Sequence, residues 1–489
     1  MTDPKPKGNQ PNILLLMSDQ WRGDALGANG NDTVHTPHID SLAADGVAFR
    51  AAYSSTPSCT PARAGLLTGL APWHHGMLGY GNVNEHYTVE LPQALRDAGY
   101  DTFGIGKMHW TPQRALHGFH GTLLDESGRV ESPGFVSDYR QWFAQVSGGA
   151  DPDATGIDWN GYEAKPYVHP ESWHPTAWTG QTALDLIDRH TGDAPFFLKV
   201  SFARPHSPYE PPQRFWDLHD DASMPPPVIG SWAARHAAVD HPIPIDTWHG
   251  DLGLAQAKRS RRGYYGSIAF IDDQIGRLLQ ALRDRGIDDN TLILFTSDHG
   301  DMLGDHHLWR KTYPYEGSVR IPMVLRWPTS MGMDDRRGQT LDSPVELRDL
   351  LPTFLDAAGA PIPEFLDGSS ILPLVRGDAK SWRPYIDLEH SCCYTDNDDW
   401  TALTDGEWKY IFHAGIDREQ LFHLHADPDE LDDLAPVPAH AQTLALWRAR
   451  LADHLSERGE AYMRNGSIVA PRPAQLHSPF YHSGYPARA

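Results

Sequence analysis

The run Cys59-Thr60-Pro61-Ala62-Arg63 sets a thiol four residues ahead of a guanidinium, with a proline at a helix-opening position between them. It continues Ala64-Gly65-Leu66-Leu67-Thr68-Gly69, so a loop turns into a helix at residue 59 and places that side chain at the positive helix end, beside Arg63. An anion would be held and could react there. Two apolar runs end in polar groups: Asn12 to Met17 leads into Ser18-Asp19-Gln20, and Thr291 to Ser297 into Asp298-His299-Gly300. Read as buried parallel strands, they bring two carboxylates, an amide oxygen and an imidazole to one sheet edge. That donor set suits Ca2+ first, with Mg2+ and Mn2+ as alternatives, and His299 is what keeps Mn2+ among them.

Four further groups could gather around an anion: Lys107 and His109 in Gly106-Lys107-Met108-His109, His206 in Arg204-Pro205-His206-Ser207-Pro208-Tyr209, and Lys311 in His307-Leu308-Trp309-Arg310-Lys311. Taken singly, each signal is weak. An acid at a strand end is more often a helix cap than a ligand, and a lysine is more often a solvated surface charge. Their joint occurrence carries the reading. Among the 27 histidines, His74, His75, His306 and His307 read equally well as partners of loop backbone or as substrate contacts, and His109 and His206 are the ones singled out. Asn82 reads as a turn residue. Cys392-Cys393 beside Glu389-His390 lacks a tetrahedral metal spacing and reads as packing.

The elements that must position these groups alternate in the α/β manner. Strands are expected at 101–107 and 195–203, a short helix at 38–45 after Thr36-Pro37, and a helix with Ile268, Ile271, Ile275, Leu278, Leu279 and Leu282 on one face, stopped by Gly286. A large doubly wound, mixed or parallel sheet flanked by helices follows. Past residue 370 the pattern changes to short alternating runs around Thr404-Asp405-Gly406 and an amphipathic helix at 441–457. The expected division is a catalytic α/β domain over 1–370, a smaller antiparallel α+β subdomain over 371–464, and an irregular arm over 465–489.

Composition sets limits. A chain of 489 residues that is 40% hydrophobic can bury a large core. It holds no apolar run of membrane-spanning length, and MTDPKPKGNQ has no apolar region of the signal-peptide kind, so a soluble, unexported protein is expected. Three cysteines cannot build a disulfide framework, which fits the cytoplasm. A formal charge of −23 argues against nucleic acid or an anionic membrane as partner.

Together these motifs resemble the formylglycine-dependent sulfatases of the alkaline phosphatase superfamily, over most of residues 11–330. The resemblance implies an alkaline phosphatase-like fold and hydrolysis of a small-molecule sulfate monoester, aryl or carbohydrate. It also implies oxidation of Cys59 to formylglycine by a separate maturation enzyme. Asp19, Gln20, residue 59, Asp298 and His299 would hold the metal, and Arg63, Lys107, His109, His206 and Lys311 would bind and process the ester. Gln20 departs from the commoner acidic pair and is similar instead to the related phosphonate monoester and phosphodiester hydrolases, which makes their chemistry the alternative. A non-catalytic metal- or anion-binding protein is the more distant one. Loops within 110–180, with Trp110, Trp159, Trp173 and Trp178, are expected to meet an aryl or sugar ring. The arm, with Phe480, Tyr481 and Tyr485, is expected to dock on a neighbouring subunit of a homo-oligomer.

Overall fold

Strand β1 (Asn12–Asp19) is buried along its whole length, because the sheet around it is covered on both sides. Ile13, Leu15 and Met17 enter one hydrophobic cluster, and Leu14 and Leu16 enter a second on the opposite face. Each such side chain withdrawn from water contributes about 1.5–3 kcal/mol, which is why this strand reads as a continuous apolar run. The structure is a computed structural model that describes residues 10–239, 248–392, 394–395 and 399–482. Cys393 and Tyr485 lie outside the described residues.

In chain order the main elements are α1 (Pro37–Ala44), β2 (Val47–Phe49), α2 (Cys59–Thr68), β3 (Asp101–Gly106), β4 (Gly121–Leu124), α3 (Pro175–Arg189), β5 (Phe196–Pro205), α4 (Leu254–Asp284), β6 (Thr291–Ser297), β7 (Met323–Arg326), β8 (Gln339–Leu341) and α5 (Leu350–Ala358). The eight strands form one sheet in the order β4-β3-β5-β1-β6-β7-β2-β8. Only β7 runs against the rest. Helices α1, α3 and α4 cover one face through Leu42, Ile187, Ile268 and Ile275, and α2 and α5 cover the other through Leu66, Leu67, Leu350 and Phe354. The doubly wound mixed sheet expected from the sequence is therefore present.

Helix α1 begins where Thr36-Pro37 places it, but Thr36 does not cap it. Its hydroxyl instead accepts the Gly27 N–H (3.0 Å). The first turn is satisfied from another helix: Asp272 of α4 accepts the His38 and Ile39 N–H groups at 3.1 and 2.8 Å.

Beyond the large sheet, β9 (Ile386–Ser391), β10 (Asp399–Thr404), β11 (Trp408–His413) and β12 (Arg418–His423) make a four-stranded antiparallel sheet. Helix α6 (Ala441–Leu455) lays Trp447, Leu451 and Leu455 against Leu403, Tyr410 and Leu421 of this sheet. Buried ion pairs fix it in place. Arg458 holds Glu389 with two bonds of 2.7 and 2.8 Å, and Arg348 holds Asp387 at 2.6 Å.

The described part of the terminal arm packs on its own chain: the Tyr481 hydroxyl donates to the Asn82 carbonyl (2.8 Å), its ring stacks on His477, and the Leu78 N–H donates to the Leu476 carbonyl (3.0 Å). Phe480 stays half exposed at 49%.

Breaking the Arg458–Glu389 pair should show how much the small sheet depends on it. Arg458→Met, which keeps packing volume against Trp73, leaves a buried carboxylate unpaired and should cost about 3–5 kcal/mol in urea unfolding. Adding Glu389→Gln should restore part of the loss; a single variant as stable as the parent would contradict this.

Candidate active site

Four adjacent strands of the large sheet end at the same edge, and each hands a polar residue to it. β1 ends in Asp19, β6 passes into Asp298, β5 into His206, and β3 into Lys107. Register enforces the meeting: Ser18 pairs with Ser297, so the next residues, Asp19 and Asp298, emerge side by side. His206 N–H donates to the Asp19 carbonyl (3.1 Å) and Lys107 N–H to the Ser201 carbonyl (2.8 Å). Gly106 makes the second approach feasible. It sits at φ +86°, and a Cβ there would run into the Ser201 carbonyl.

Helix α2 supplies the remaining parts. It is buried from Cys59 to Thr68, and small residues Ala62, Ala64 and Gly65 let it lie deep in the structure. Cys59 opens its first turn, and Ser58, at the cap position, makes no side-chain cap bond. The Ser58 hydroxyl instead meets His390 Nε2 of β9 at 3.0 Å, so no side chain competes with an anion for this helix end. Cys59 Sγ lies 3.3 Å from His299 Nε2, 3.6 Å from Asp19 Oδ1 and 3.6 Å from Lys107 Nζ. Arg63, one turn on, binds Asp298 through Nε and Nη2, each at 2.9 Å, and Ser201 Oγ at 3.0 Å. Lys107 Nζ is in direct contact with the Asp19 carboxylate.

Asp19, Cys59, Asp298 and His299 could therefore hold a cation, since their ligand atoms lie within 4.8 Å of one another and all four residues are buried. His299 is aimed for this role. Its Nδ1 faces the Gly300 carbonyl (2.9 Å), which can only accept, so Nδ1 carries hydrogen and the Nε2 lone pair points into the cluster. The field there favours positive charge: burial opposes protonation of His299, but Asp298 and Cys59 outweigh it and raise its pKa. Burial opposes ionisation of Asp19 as well, yet Lys107, His206, His299 and Arg63 hold its carboxyl well below the usual range. At Cys59, burial and Asp19 are overcome by Lys107, Lys311 and His299, which bring the thiol well below its ordinary value.

On the other side of the cluster, Lys311 Nζ donates to Gln20 Oε1 (2.7 Å) and to His206 Nε2 (2.8 Å). His206 Nδ1 donates to the Ser207 carbonyl (2.8 Å), and burial, followed by Lys311, keeps its pKa well below the ordinary value. Gln20 sits at φ +71°, a conformation costing about 1–3 kcal/mol in a residue with a Cβ. Its side-chain amide also contacts Asp301, and its N–H donates to Asp298 Oδ1 (3.0 Å). His109, at φ +62°, turns Nε2 to Tyr80 (3.3 Å) and Glu131 (3.5 Å). Among the described residues its buried Nδ1 has no hydrogen-bond partner.

Asp19, Gln20, Cys59, Arg63, Lys107, His206, Asp298, His299 and Lys311 thus converge on one edge, whereas the His109 side chain contacts Tyr80 and Glu131. Others there gave no readable signal. Glu126 accepts the Met108 and His109 N–H groups, both at 2.9 Å, and so shapes the turn after Lys107. Asp301, which also accepts the Tyr209 hydroxyl (2.7 Å), follows Asp298 by three residues and could have been suspected. Of the tryptophans expected to meet substrate, two are withdrawn from solvent and two are partly exposed. Trp110 and Trp178 are buried, Trp173 packs on Phe143, and Trp159 lies against Arg204. Aromatic rings near the site include Tyr80, next to His109, and Tyr394, whose hydroxyl donates to the Lys311 carbonyl (3.1 Å). His75 and His306 do accept backbone N–H groups, whereas His74 pairs with Asp367.

A doubly wound sheet that sets a buried thiol at a helix end, against carboxylates able to hold a cation, fits a hydrolase of anionic esters. The comparisons narrow this: residues 11–360 match the sulfatase family, and residues 304–457 match the C-terminal family of N-sulphoglucosamine sulphohydrolase. The chain belongs to the sulfatase family and is a sulfuric ester hydrolase. It is 37% identical to an arylsulfatase of Clostridium perfringens over 95% of this chain and 98% of that one. It is 32% identical to a choline-sulfatase of Rhizobium meliloti over 91% and 87%. Among solved structures, the phosphonate monoester hydrolase of Agrobacterium radiobacter superposes with a TM-score of 0.76 at 27% identity, over 95% of this chain and all of that one.

The role of Glu126 can be measured. Glu126→Ala strands two buried N–H donors and should cost about 1–3 kcal/mol in thermal unfolding, together with a lower kcat. Glu126→Gln retains an acceptor and should recover most of both; equal damage in the two variants would contradict the assignment.

Proposed function

We propose that this enzyme hydrolyses sulfate monoesters of aryl or carbohydrate alcohols through an aldehyde hydrate made from Cys59. The observation that carries the reading is that one buried thiol at a helix N-terminus lies within 3.3–3.6 Å of His299, Asp19 and Lys107. Oxidised to formylglycine by a separate maturation enzyme, residue 59 would offer two geminal hydroxyls, one to attack sulfur and one to let sulfate leave. Asp19, Asp298 and His299, with Gln20 and residue 59, would hold the divalent metal, for which Ca2+ suits the oxygen donors best and Mn2+ or Mg2+ are alternatives. Bound there, it would supply Lewis acidity that lowers the pKa of a hydroxyl.

The chain's own groups divide the remaining work. Arg63 and Lys107, both buried, fix the carboxylates and present positive charge to the sulfuryl oxygens. His206 has its lone pair on Lys311, so Lys311 is the proton holder for the departing alcohol and His206 its orienter. His109 Nδ1, buried without a partner, is the atom free to take the proton when sulfate is released. The small number of cysteines supports residence in the cytoplasm, and no described helix is long and apolar enough to cross a membrane.

A second reading, a phosphonate monoester or phosphodiester hydrolase with the same nucleophile, is favoured by Gln20 and by the structural likeness to the Agrobacterium enzyme. Matched aryl sulfate and aryl phosphonate substrates separate the two. The expected result is a higher kcat/KM for the sulfate, with intact-peptide mass showing residue 59 lighter than cysteine and Cys59→Ala abolishing multiple turnover. Full activity in the alanine variant would end the proposal. Dialysis against a chelator should remove activity and lower Tm, both restored by Ca2+; unchanged activity would remove the metal from the account.

A further inference from the structure

The cations already placed in the site have partners: Arg63 binds Asp298, Lys107 binds Asp19, and Lys311 binds Gln20 and His206. Arg129 differs. Among the described residues its guanidinium makes no hydrogen bond or ion pair, and Nη1 is shut off from water without a partner. Arg129 is only partly exposed, and a guanidinium nitrogen shut off from water with nothing to donate to is costly unless a ligand supplies the acceptor.

Its loop is tied to the site. Arg129 N–H donates to the Glu126 carbonyl (3.1 Å), and Glu126 itself clasps the Met108 and His109 N–H groups. Gln113, just beyond that turn, donates to the Arg129 carbonyl (3.0 Å) and accepts the Glu131 and Ser132 N–H groups (2.9 and 3.1 Å). Glu131 in turn reaches His109 and Tyr80. So anchored, the guanidinium charge is felt by Cys59, Tyr80, Asp19 and Glu126, and by His206 from across the cluster.

Resting on the sulfate-ester reading, we infer that Arg129 is a substrate-binding residue that pairs with an anionic oxygen of the bound ester. The fork of a guanidinium matches two such oxygens at once. They could belong to the sulfuryl group, or to a second acidic group carried by the alcohol half. Because its charge bears on Cys59 and Asp19, where the sulfuryl group must sit, the sulfuryl oxygens are the favoured source.

The test uses the full-length chain with Arg129→Ala and Arg129→Lys, titrated calorimetrically with inorganic sulfate and assayed on phenyl sulfate and 2-carboxyphenyl sulfate. Loss of one charged hydrogen bond predicts at least about tenfold weaker sulfate binding in the alanine variant, partly recovered by lysine. KM should rise for both esters. A rise confined to the carboxylated ester would support the pairing and assign it to the second acid. A folded alanine variant with unchanged sulfate affinity and unchanged KM for both esters would overturn it. Should alanine fail to fold, Arg129→Gln takes its place under the same criteria. A parent protein that binds sulfate but turns over neither ester would sink the functional reading, while the calorimetric comparison still judges Arg129.

Discussion

Two carboxylates, Asp19 and Asp298, stand fully buried at the ends of neighbouring parallel strands, and the site depends on their being neutralised. Neither could stay ionised there unaided, because burying a lone carboxylate costs several kcal/mol. Arg63 and Lys107 supply the first compensation, and each arrives from a different element: a buried helix and a strand end. Because opposite charges must meet within hydrogen-bond distance, α2 is held against the sheet edge, and with it Cys59. The same bonds that stabilise the acids thus set the position of the Cys59 thiol.

Asp19 has Lys107 on Oδ2 and turns Oδ1 towards His299 and Cys59, whereas Asp298 has Arg63 on Oδ2 and the Gln20 and His299 N–H groups on Oδ1. The His299 ring is oriented by its bond to the Gly300 carbonyl. Backbone strain at Gln20 and His109 marks where the sheet edge bends to deliver side chains that a regular strand would send elsewhere. The small antiparallel sheet takes part through His390, which reaches Ser58, the residue before Cys59.

Much of this was legible in the sequence, for physical reasons that apply residue by residue. Apolar runs such as 12–17 and 291–297 are unambiguous because a doubly covered parallel strand tolerates no polar interior, and the acids at their ends are then forced to the edge. Cys59, Arg63, Lys107, His206 and Lys311 could be read because each sits in a short stretch of distinctive chemistry. Glu126 could not, since its place comes from accepting the Met108 and His109 N–H groups, which no local pattern records. For the tryptophans, composition shows that rings are present, not whether they pack inward as Trp110 and Trp178 do. The contact of the arm with the segment around Asn82 was not legible because the two are almost 400 positions apart in the chain.

The central claim is that residue 59 itself takes the sulfuryl group, and one variant tests it directly. A serine there has a single hydroxyl, enough to accept the group but lacking the second hydroxyl needed to expel it. Cys59→Ser mixed with an excess of aryl sulfate should release at most one equivalent of phenol and gain the mass of one sulfuryl group on the peptide containing residue 59. Sustained turnover, or phenol release with no added mass at that residue, would contradict the account.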